Sequence, residues 1–266
     1  MTAEKPQDKP QDKPHDKPIA LVTGASSGLG EEYLRQLAPR CRHLIAVARR
    51  GDRLEALAEE LADTVTVEPL VADLATVEGQ VRVVEALRQR GPVQLLVNNA
   101  GFGTFGPFAE SDIDQELAMV RVHQDATLRL TRAALPFMRE AGGGQVINVA
   151  SIGAFLPMPS TAVYGATKAF LSAFSLSLQA EEKRHGIRVQ ALCPGLTRTE
   201  IHSRDSFEGF DPSRMPEELW MEADAVVAES LSALDAGTGE VVLVTGAQNR
   251  AMVSAALGKL AASVGQ

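Results

Sequence analysis

Short apolar runs alternate with segments of helical periodicity along almost the whole chain, and this rhythm constrains the fold more than any other feature. Seven of the runs are short enough to be strands. They span residues 19–23, 44–48, 65–71, 93–97, 146–149, 189–193 and 241–244. Near-continuous apolar strands separated by helices are typical of a parallel sheet that is covered on both faces. The sequence therefore predicts an α/β fold with a seven-stranded parallel sheet.

Two segments break this rhythm. Residues 4–18 repeat Lys-Pro units (EKP, QDKP, QDKP, HDKP) and have nothing apolar to bury, so residues 1–18 are predicted to form a disordered tail. Residues 19–266 show no further shift in composition, and we expect them to form one domain. Within it, residues 199–222 are too long and too mixed in composition for a simple connection, which favours a substrate lid.

Charge and composition narrow the possible partners. The formal net charge of −8 argues against nucleic acid and anionic membranes. No apolar run is long enough to cross a bilayer, and the Lys- and Pro-rich start does not resemble a secretory signal. The two cysteines, Cys41 and Cys193, have neither disulfide-framework nor metal-ligand spacing. We therefore expect a cytoplasmic protein with no metal site.

A glycine-rich loop joins the first predicted strand to a helical segment. It runs Thr23-Gly24-Ala25-Ser26-Ser27-Gly28-Leu29-Gly30. Such a turn lets backbone N–H groups approach a pyrophosphate, which the positive end of the helix dipole also attracts. Gly24 permits the tight turn, while Gly28 and Gly30 lack the Cβ atoms that would block the ligand or the helix–strand contact. The spacing departs from G-x-G-x-x-G, so a generic glycine turn is the alternative to a nucleotide site.

Four more motifs follow in order along the chain. Asn98-Asn99-Ala100-Gly101 comes after the fourth strand, and Ser151 comes after the fifth. Tyr164 and Lys168 form a Y-x-x-x-K pattern, and Pro194-Gly195-Leu196-Thr197-Arg198-Thr199 follows the sixth strand. Together with the glycine-rich loop, these motifs resemble those of the short-chain dehydrogenase/reductase family over nearly all of the chain after the tail. The stretches that contain the last three motifs are similar to the branch that includes ketoacyl and ketosteroid reductases.

This resemblance implies a doubly wound, Rossmann-type sheet with the strand order 3-2-1-4-5-6-7, a nicotinamide dinucleotide cofactor and a small-molecule carbonyl or alcohol substrate. Family members often assemble through the helices around residues 112–140 and 164–184, so a homodimer or homotetramer is also implied. Carried over residue by residue, the implied cofactor-binding set is Gly24, Ser26, Ser27, Gly28, Leu29, Gly30, Arg49, Arg50, Asp73, Leu74, Asn99, Ala100, Gly101, Tyr164, Lys168, Pro194, Gly195, Thr197 and Thr199.

The residue after the second strand separates NADP(H) from NAD(H). An acidic side chain there would bind the ribose 2′-hydroxyl and repel a 2′-phosphate. The chain has Ala48-Arg49-Arg50 instead, and Arg49 can bind a phosphate through two hydrogen bonds. This favours NADP(H), the alternative being two more solvated arginines. Asp73 matches the family residue that contacts the adenine amino group, and its alternative role is the N-cap of the following helix.

Tyr164 and Lys168 come from scarce residue types. Past residue 18 the chain has nineteen arginines but only three lysines, and only two tyrosines. Residues i and i+4 share a helix face, so Lys168 stands beside Tyr164. The resemblance implies that Tyr164 is the catalytic acid–base, that Lys168 binds the ribose and lowers the tyrosine pKa, and that Ser151 hydrogen-bonds the substrate oxygen. The alternative is a half-buried tyrosine and an exposed lysine on an amphipathic helix.

One position departs from the family pattern. Many members carry an asparagine thirteen residues before a proline on the long helix, where it holds a water that links the lysine to solvent. Here the proline is Pro136, and His123 occupies the asparagine position. A neutral imidazole can donate and accept, so His123 is a candidate catalytic relay residue that protonation at about pH 6.5 would disable. The alternative is that His123 is only packed and the relay is impaired.

An apolar wall is expected around the substrate. Its candidates are Phe102, Phe105, Phe155, Pro157, Met158, Phe207, Phe210 and Trp220. Such a wall suits an apolar ketone or alcohol better than a sugar or an amino acid. The predicted function is NADP(H)-dependent interconversion of a carbonyl and a secondary alcohol by hydride transfer. The alternative is an NADP(H)-binding regulatory protein with weak or no turnover, which the histidine at the relay position motivates.

Overall fold

Seven parallel strands form one sheet in the order β3-β2-β1-β4-β5-β6-β7. The computed structural model describes residues 17–200, 210–237 and 239–264. The strands are β1 (Ile19–Thr23), β2 (His43–Ala48), β3 (Thr66–Val71), β4 (Val93–Asn98), β5 (Gly144–Val149), β6 (Ile187–Cys193) and β7 (Val242–Val244). The predicted α/β class, the number of strands and their order are confirmed. Most of the predicted tail, residues 1–16, lies outside the described residues.

Helices cover both faces of the sheet because most of them bury one apolar side against it. They are α1 (Gly28–Leu37), α2 (Gly51–Leu61), α3 (Val77–Gln89), α4 (Ile113–Val120), α5 (Thr127–Glu140), α6 (Ala162–Glu182), α7 (Ala223–Ala236) and α8 (Ala247–Val264). Tyr33 of α1 and Val226 of α7 belong to the core on one face, and Leu87 of α3 and Leu130 of α5 to the core on the other. Over the described ranges, no helix has both the length and the apolarity needed to cross a membrane.

The order of the sheet reverses at β1, which pairs with β2 on one side and with β4 on the other. The chain leaves these strands in opposite directions, and this opens a crevice above their carboxyl ends. The predicted motifs begin at this edge of the sheet, after β1, β4, β5 and β6. The topology therefore gathers segments that are far apart in sequence around one crevice.

A buried chain of polar side chains fixes the sheet beneath the crevice. The Nδ2 atom of Asn98 donates to Asn148 Oδ1 at 2.8 Å and to Thr131 Oγ1 at 3.1 Å. Asn148 in turn donates to Ser175 Oγ at 2.9 Å. Buried amides need such partners, because a buried donor without an acceptor costs free energy. The network ties β4 and β5 to α5 and α6.

A π-helical turn, Arg121–Ala126, joins α4 to α5 and bears on the site. Such turns are rare, and they occur frequently at functional sites. This one contains His123, which is buried against the loop that follows β4.

Candidate active site

The loop between β1 and α1 forms a cradle for phosphate groups. Gly24 and Gly28 have φ values of 67° and 56°, in the left-handed region that favours glycine. A Cβ atom on Gly30 would lie 2.3 Å from the carbonyl oxygen of Gly24, so Gly30 allows the loop to pack on its own helix. The side chain of Ser27 does not cap α1, which leaves the first N–H groups of the helix available for a ligand. These residues fit the diphosphate of a dinucleotide.

The segment after β4 holds this cradle in shape. The hydroxyl oxygen of Thr23 accepts the backbone N–H groups of Asn99 at 3.0 Å and Ala100 at 2.9 Å. The Asn99 side chain donates to the carbonyl oxygen of Thr23 at 2.9 Å. A Cβ atom on Gly24 would lie 2.8 Å from Ala100 Cα, so the two loops touch. Asn99 therefore shapes the phosphate cradle from the neighbouring strand.

The end of the crevice beyond β2 and β3, called here the β2–β3 end, is lined by Arg49, Arg50 and Asp73. Arg49 is exposed. Arg50 is half-buried and donates to the hydroxyl and the carbonyl oxygen of Ser26, both at 3.1 Å. Two arginines therefore lie beside the cradle, where the sequence predicts a 2′-phosphate.

Asp73 is not the N-cap of α3, so that alternative is wrong. Thr76 is the N-cap, and its hydroxyl oxygen accepts the N–H of Gly79 at 3.0 Å. The Asp73 carboxylate accepts the N–H of Ala75 at 2.9 Å and so shapes the turn before the helix. Asp73 remains on the wall of the crevice.

Ser151, Tyr164 and Lys168 converge in the middle of the crevice. Ser151 accepts the N–H of Gly153 at 3.0 Å, and a Cβ atom on Gly153 would lie 3.4 Å from Ser151 Oγ and 3.5 Å from Tyr164 Cε1. Lys168 is buried, and its Nζ donates to the carbonyl oxygen of Val149 at 2.8 Å. The same Nζ lies 5.6 Å from the centre of the Tyr164 ring. A phenol, a hydroxyl and an ammonium therefore share one point of the crevice wall.

Burial controls the ionisation of both titratable groups here. It raises the pKa of Tyr164 above its usual value, against the opposing effect of the hydrogen bond with Ser151. It lowers the pKa of Lys168 from 10.5 to about 8. The pKa of Tyr164 is therefore not lowered as the sequence predicts, because burial of the phenol outweighs the effects that favour its charged form.

His123 is buried with both ring nitrogens hydrogen-bonded to the protein. Its Nε2 accepts the N–H of Phe102 at 3.3 Å, which puts the ring proton on Nδ1. Nδ1 then donates to the Thr167 hydroxyl oxygen at 2.8 Å, and that hydroxyl donates to the carbonyl oxygen of Tyr164. The ring also depends on Gly101, because a Cβ atom there would lie 2.5 Å from Nε2.

These contacts do not support the prediction that the His123 ring is a catalytic relay group. Both nitrogens already have protein partners, so neither is left for a water between Lys168 and solvent. Burial and the charge of Lys168 hold the pKa of His123 well below 6.5, so the ring does not titrate near that pH. The geometry fits a positioning residue that links the loop after β4 to α6.

The end of the crevice beyond Tyr164, called here the apolar end, has a wall of aromatic and aliphatic side chains. Four predicted residues line it: Phe102, Phe105, Met158 and Phe210. The wall also contains six residues that the sequence does not predict: Ile152, Leu156, Leu196, Met215, Leu219 and Met252. The rings of Phe105 and Phe210 meet edge to face with centroids 5.8 Å apart. Among the described residues, no charged side chain lines this end.

Three predicted wall residues lie elsewhere. Phe155 packs into the core, and Pro157 is exposed between two residues that do line the crevice. Trp220 lies against Arg198, whose guanidinium carbon is 5.3 Å from the centre of the ring. Phe207 falls within residues 201–209, outside the described residues, so the lid over 199–222 stays a prediction.

The crevice is one continuous cavity of about 400 Å³. Its wall contains the predicted cofactor-binding residues Gly24, Ser26, Ser27, Gly28, Leu29, Arg49, Arg50, Asp73, Leu74, Asn99, Ala100, Gly101, Tyr164, Lys168, Pro194, Gly195, Thr197 and Thr199. Gly30 is the exception, because it packs against Gly24 instead of facing the cavity.

A phosphate cradle at the switch point of a doubly wound sheet defines the class of dinucleotide-binding enzymes. The sequence model of the short chain dehydrogenases matches residues 18–207. The chain belongs to this family, and it is an NAD(P)-dependent oxidoreductase.

Similar proteins of known sequence or structure agree with this assignment. The NADP-dependent 3-hydroxy acid dehydrogenase of Salmonella typhi is 35% identical over 195 residues, which are 73% of this chain and 78% of that protein. A short-chain dehydrogenase from Sphingobium yanoikuyae, solved in complex with NADPH, is 36% identical with a TM-score of 0.80, over 92% of this chain and 95% of that one. The bulky-bulky ketone specific alcohol dehydrogenase from Comamonas testosteroni is 31% identical with a TM-score of 0.76, over 92% and 94%.

Proposed function

We propose that this protein uses NADP(H) to interconvert an uncharged, apolar ketone and its secondary alcohol. The observation that carries the proposal is the convergence of Ser151, Tyr164 and Lys168 between the phosphate cradle and the apolar end of the cavity. NADP(H) is supported by the exposed Arg49 at the β2–β3 end, where NAD(H)-specific proteins need an acid. It is also supported by similar proteins that are named for NADP or were solved with NADPH.

In the proposed reduction, the phosphate cradle and Arg49 would hold the dinucleotide, which would be the source of the hydride for the carbonyl carbon. Tyr164 donates its phenolic proton to the carbonyl oxygen, and Ser151 donates a hydrogen bond to that oxygen as its negative charge develops. Burial suits this step, because the raised pKa of Tyr164 keeps the phenol protonated at neutral pH. The Lys168 ammonium, 5.6 Å from the centre of the ring, would stabilise the phenolate that remains.

The substrate class follows from the charge distribution along the cavity wall. The charged residues of the described wall are Arg49, Arg50, Asp73, Lys168 and Glu200, and all lie at the β2–β3 end or beside Tyr164. A carboxylate bound at the apolar end would lose its hydration without gaining a counter-charge there. We therefore favour a bulky ketone, as in the name of the Comamonas testosteroni protein, over a 3-hydroxy acid.

A substrate panel tests this proposal. NADPH and NADH would be offered with bulky aryl ketones and with a 3-oxo acid, and their oxidation followed by absorbance. We expect kcat/KM to be at least about tenfold higher for the aryl ketones with NADPH than for the oxo acid or for NADH. A preference for the oxo acid would overturn the uncharged substrate. Tight NADPH binding without turnover of any ketone would favour the regulatory protein instead.

We also propose that the chain assembles as a homodimer or homotetramer through α4, α5 and α6. Ile113, Leu117, Leu128 and Leu176 on these helices expose 54, 45, 40 and 51% of their surface. Large apolar side chains that are exposed on these helices favour a protein interface. Light scattering on the purified protein should give a mass of two or four chains, and a monomer at all concentrations would contradict the proposal.

A further inference from the structure

Glu200 holds two arginines at the β2–β3 end of the cavity. Its Oε2 accepts a hydrogen bond from Arg50 Nη1 at 2.9 Å, and its Oε1 accepts one from Arg53. Arg50 also donates to the hydroxyl and the carbonyl oxygen of Ser26 in the phosphate cradle. A carboxylate from the segment after β6 is therefore joined to the segment after β2 and the loop after β1.

Glu200 reaches this position because its segment crosses the cradle. A Cβ atom on Gly28 would lie 2.9 Å from Thr199 Cγ2, so the side chain of Thr199 packs against the backbone of the cradle there. Thr197, two residues before Thr199, forms a parallel β-bridge with Met221. These contacts fix the chain just before Glu200 and aim its side chain at the arginines.

The Glu200 carboxylate is charged at neutral pH. Burial alone would raise its pKa, but the hydrogen bonds from Arg53 and Arg50 outweigh that effect and lower the pKa. Arg50 and Glu200 both line the cavity, so the charge of Arg50 is partly neutralised at the site. The chain therefore places its own anion on Arg50, one of the two arginines, Arg49 and Arg50, that a 2′-phosphate would need.

We propose that Glu200 is a specificity-determining residue that weakens binding of the 2′-phosphate and so limits discrimination between NADP(H) and NAD(H). This inference rests on the proposed use of NADP(H) at the same site. A dianionic phosphate beside Arg49 would be repelled by the Glu200 carboxylate and would compete with it for Arg50. NAD(H) has only a hydroxyl at this position, so its affinity should be insensitive to the charge of Glu200.

The test compares Glu200→Gln with the wild type by calorimetric titration. Adenosine 2′,5′-bisphosphate and 5′-AMP serve as probes that differ only in the 2′-phosphate, and NADPH and NADH as the matching dinucleotides. The variant is expected to bind the bisphosphate and NADPH about three- to tenfold more tightly, with 5′-AMP and NADH unchanged. The gain should shrink at high salt, because screening weakens the repulsion that the variant removes.

Glu60→Gln is the matched control. Glu60 pairs with Arg35 on the surface and does not line the cavity, so this variant has the same net charge without altering the site. It should bind all four ligands like the wild type. Thermal melting of the unliganded proteins, together with Glu200→Ala as a second variant, separates a folding defect from a change in the site.

Three outcomes would overturn the inference. Equal or weaker binding of the bisphosphate by both Glu200 variants would show that the carboxylate does not oppose the phosphate. Equal tightening for 5′-AMP would show that the effect does not depend on the 2′-phosphate. A wild type that prefers NADH would remove the proposed use of NADP(H) and the inference with it. If the wild type prefers NADPH and the variants have the same ratio of NADPH to NADH affinity, only the inference is overturned.

Discussion

The Nδ1 atom of His123 lies 2.8 Å from the hydroxyl oxygen of Thr167, one turn after Tyr164 on α6. Since Nε2 of the same ring accepts the N–H of Phe102, one neutral imidazole spans the gap between the loop after β4 and α6. Phe102 and Tyr164 line the cavity from these two sides. We infer that the His123 ring sets the width of the cavity at the reacting centre.

Replacing His123 with leucine should lower both stability and turnover. The substitution removes the hydrogen bonds that the ring makes with the Phe102 N–H and the Thr167 hydroxyl. Loss of these partners should lower the free energy of unfolding by about 1–3 kcal/mol. Urea unfolding gives the free energy, and kcat is measured on the same preparations. His123→Asn, which has a donor and an acceptor, should restore most of both properties. Wild-type behaviour of the leucine variant would show that the ring only fills space.

The pH dependence of the rate gives an independent check on His123. Because the pKa of His123 lies well below 6.5, the wild type and His123→Asn should have the same pH–rate profile around 6.5. A step near 6.5 that is present in the wild type and absent from the asparagine variant would return His123 to the relay role.

Exchanging Ala48 for aspartate and Arg49 for leucine should shift cofactor preference toward NADH. The new carboxylate would repel a 2′-phosphate and accept hydrogen bonds from a 2′-hydroxyl, so the ratio of kcat/KM values is expected to change by at least about tenfold. Arg88→Leu removes an exposed arginine that does not line the cavity, and it should leave the ratio unchanged. An unchanged ratio in the double variant would mean that Arg49 does not bind the phosphate.

The buried ammonium of Lys168 should appear in the pH dependence of stability. Folding lowers its pKa from 10.5 to about 8, so between these pH values the unfolded chain binds more protons than the folded one. Stability from this group therefore rises with pH across that window, and its penalty is complete below pH 8. The difference in free energy of unfolding between Lys168→Met and the wild type should favour the variant most below pH 8. It should shrink by up to about 3 kcal/mol by pH 10.5. Urea unfolding at both ends of the window measures the difference, and parallel curves would contradict it.

The sequence was sufficient for the fold because the sheet is buried on both faces. The first strand was predicted to the residue, as Ile19–Thr23. Strands β5 and β6 begin two residues earlier than predicted. Gln145 and Arg188 are paired in the sheet, but their side chains are polar and so fall outside the apolar runs that predict the strands. The order of the strands came from the family resemblance, since hydropathy does not encode which strands are neighbours.

The site was predictable only where it depends on local spacing. The glycine-rich loop and the Tyr164–Lys168 pair each lie on one short segment. The partners of His123 are 21 and 44 residues away, on different elements, so no local spacing in the sequence indicates these hydrogen bonds. Met252, on the last helix, lines the apolar end, and it was not predicted because it too is distant in sequence from the other wall residues. Asp73 and Thr76 are both residue types that favour the N-cap, and only the backbone geometry shows that Thr76 takes this position.

In the proposed reaction Tyr164 supplies the proton that completes carbonyl reduction, and Tyr164→Phe tests this role most directly. The substitution removes one oxygen and keeps the ring that packs near His123 and Lys168. With saturating NADPH and an accepted ketone, we predict that kcat falls at least ~100-fold while the Kd for NADPH stays within about twofold. A variant that keeps more than about a tenth of wild-type kcat would contradict the claim, because general acid catalysis contributes more than that.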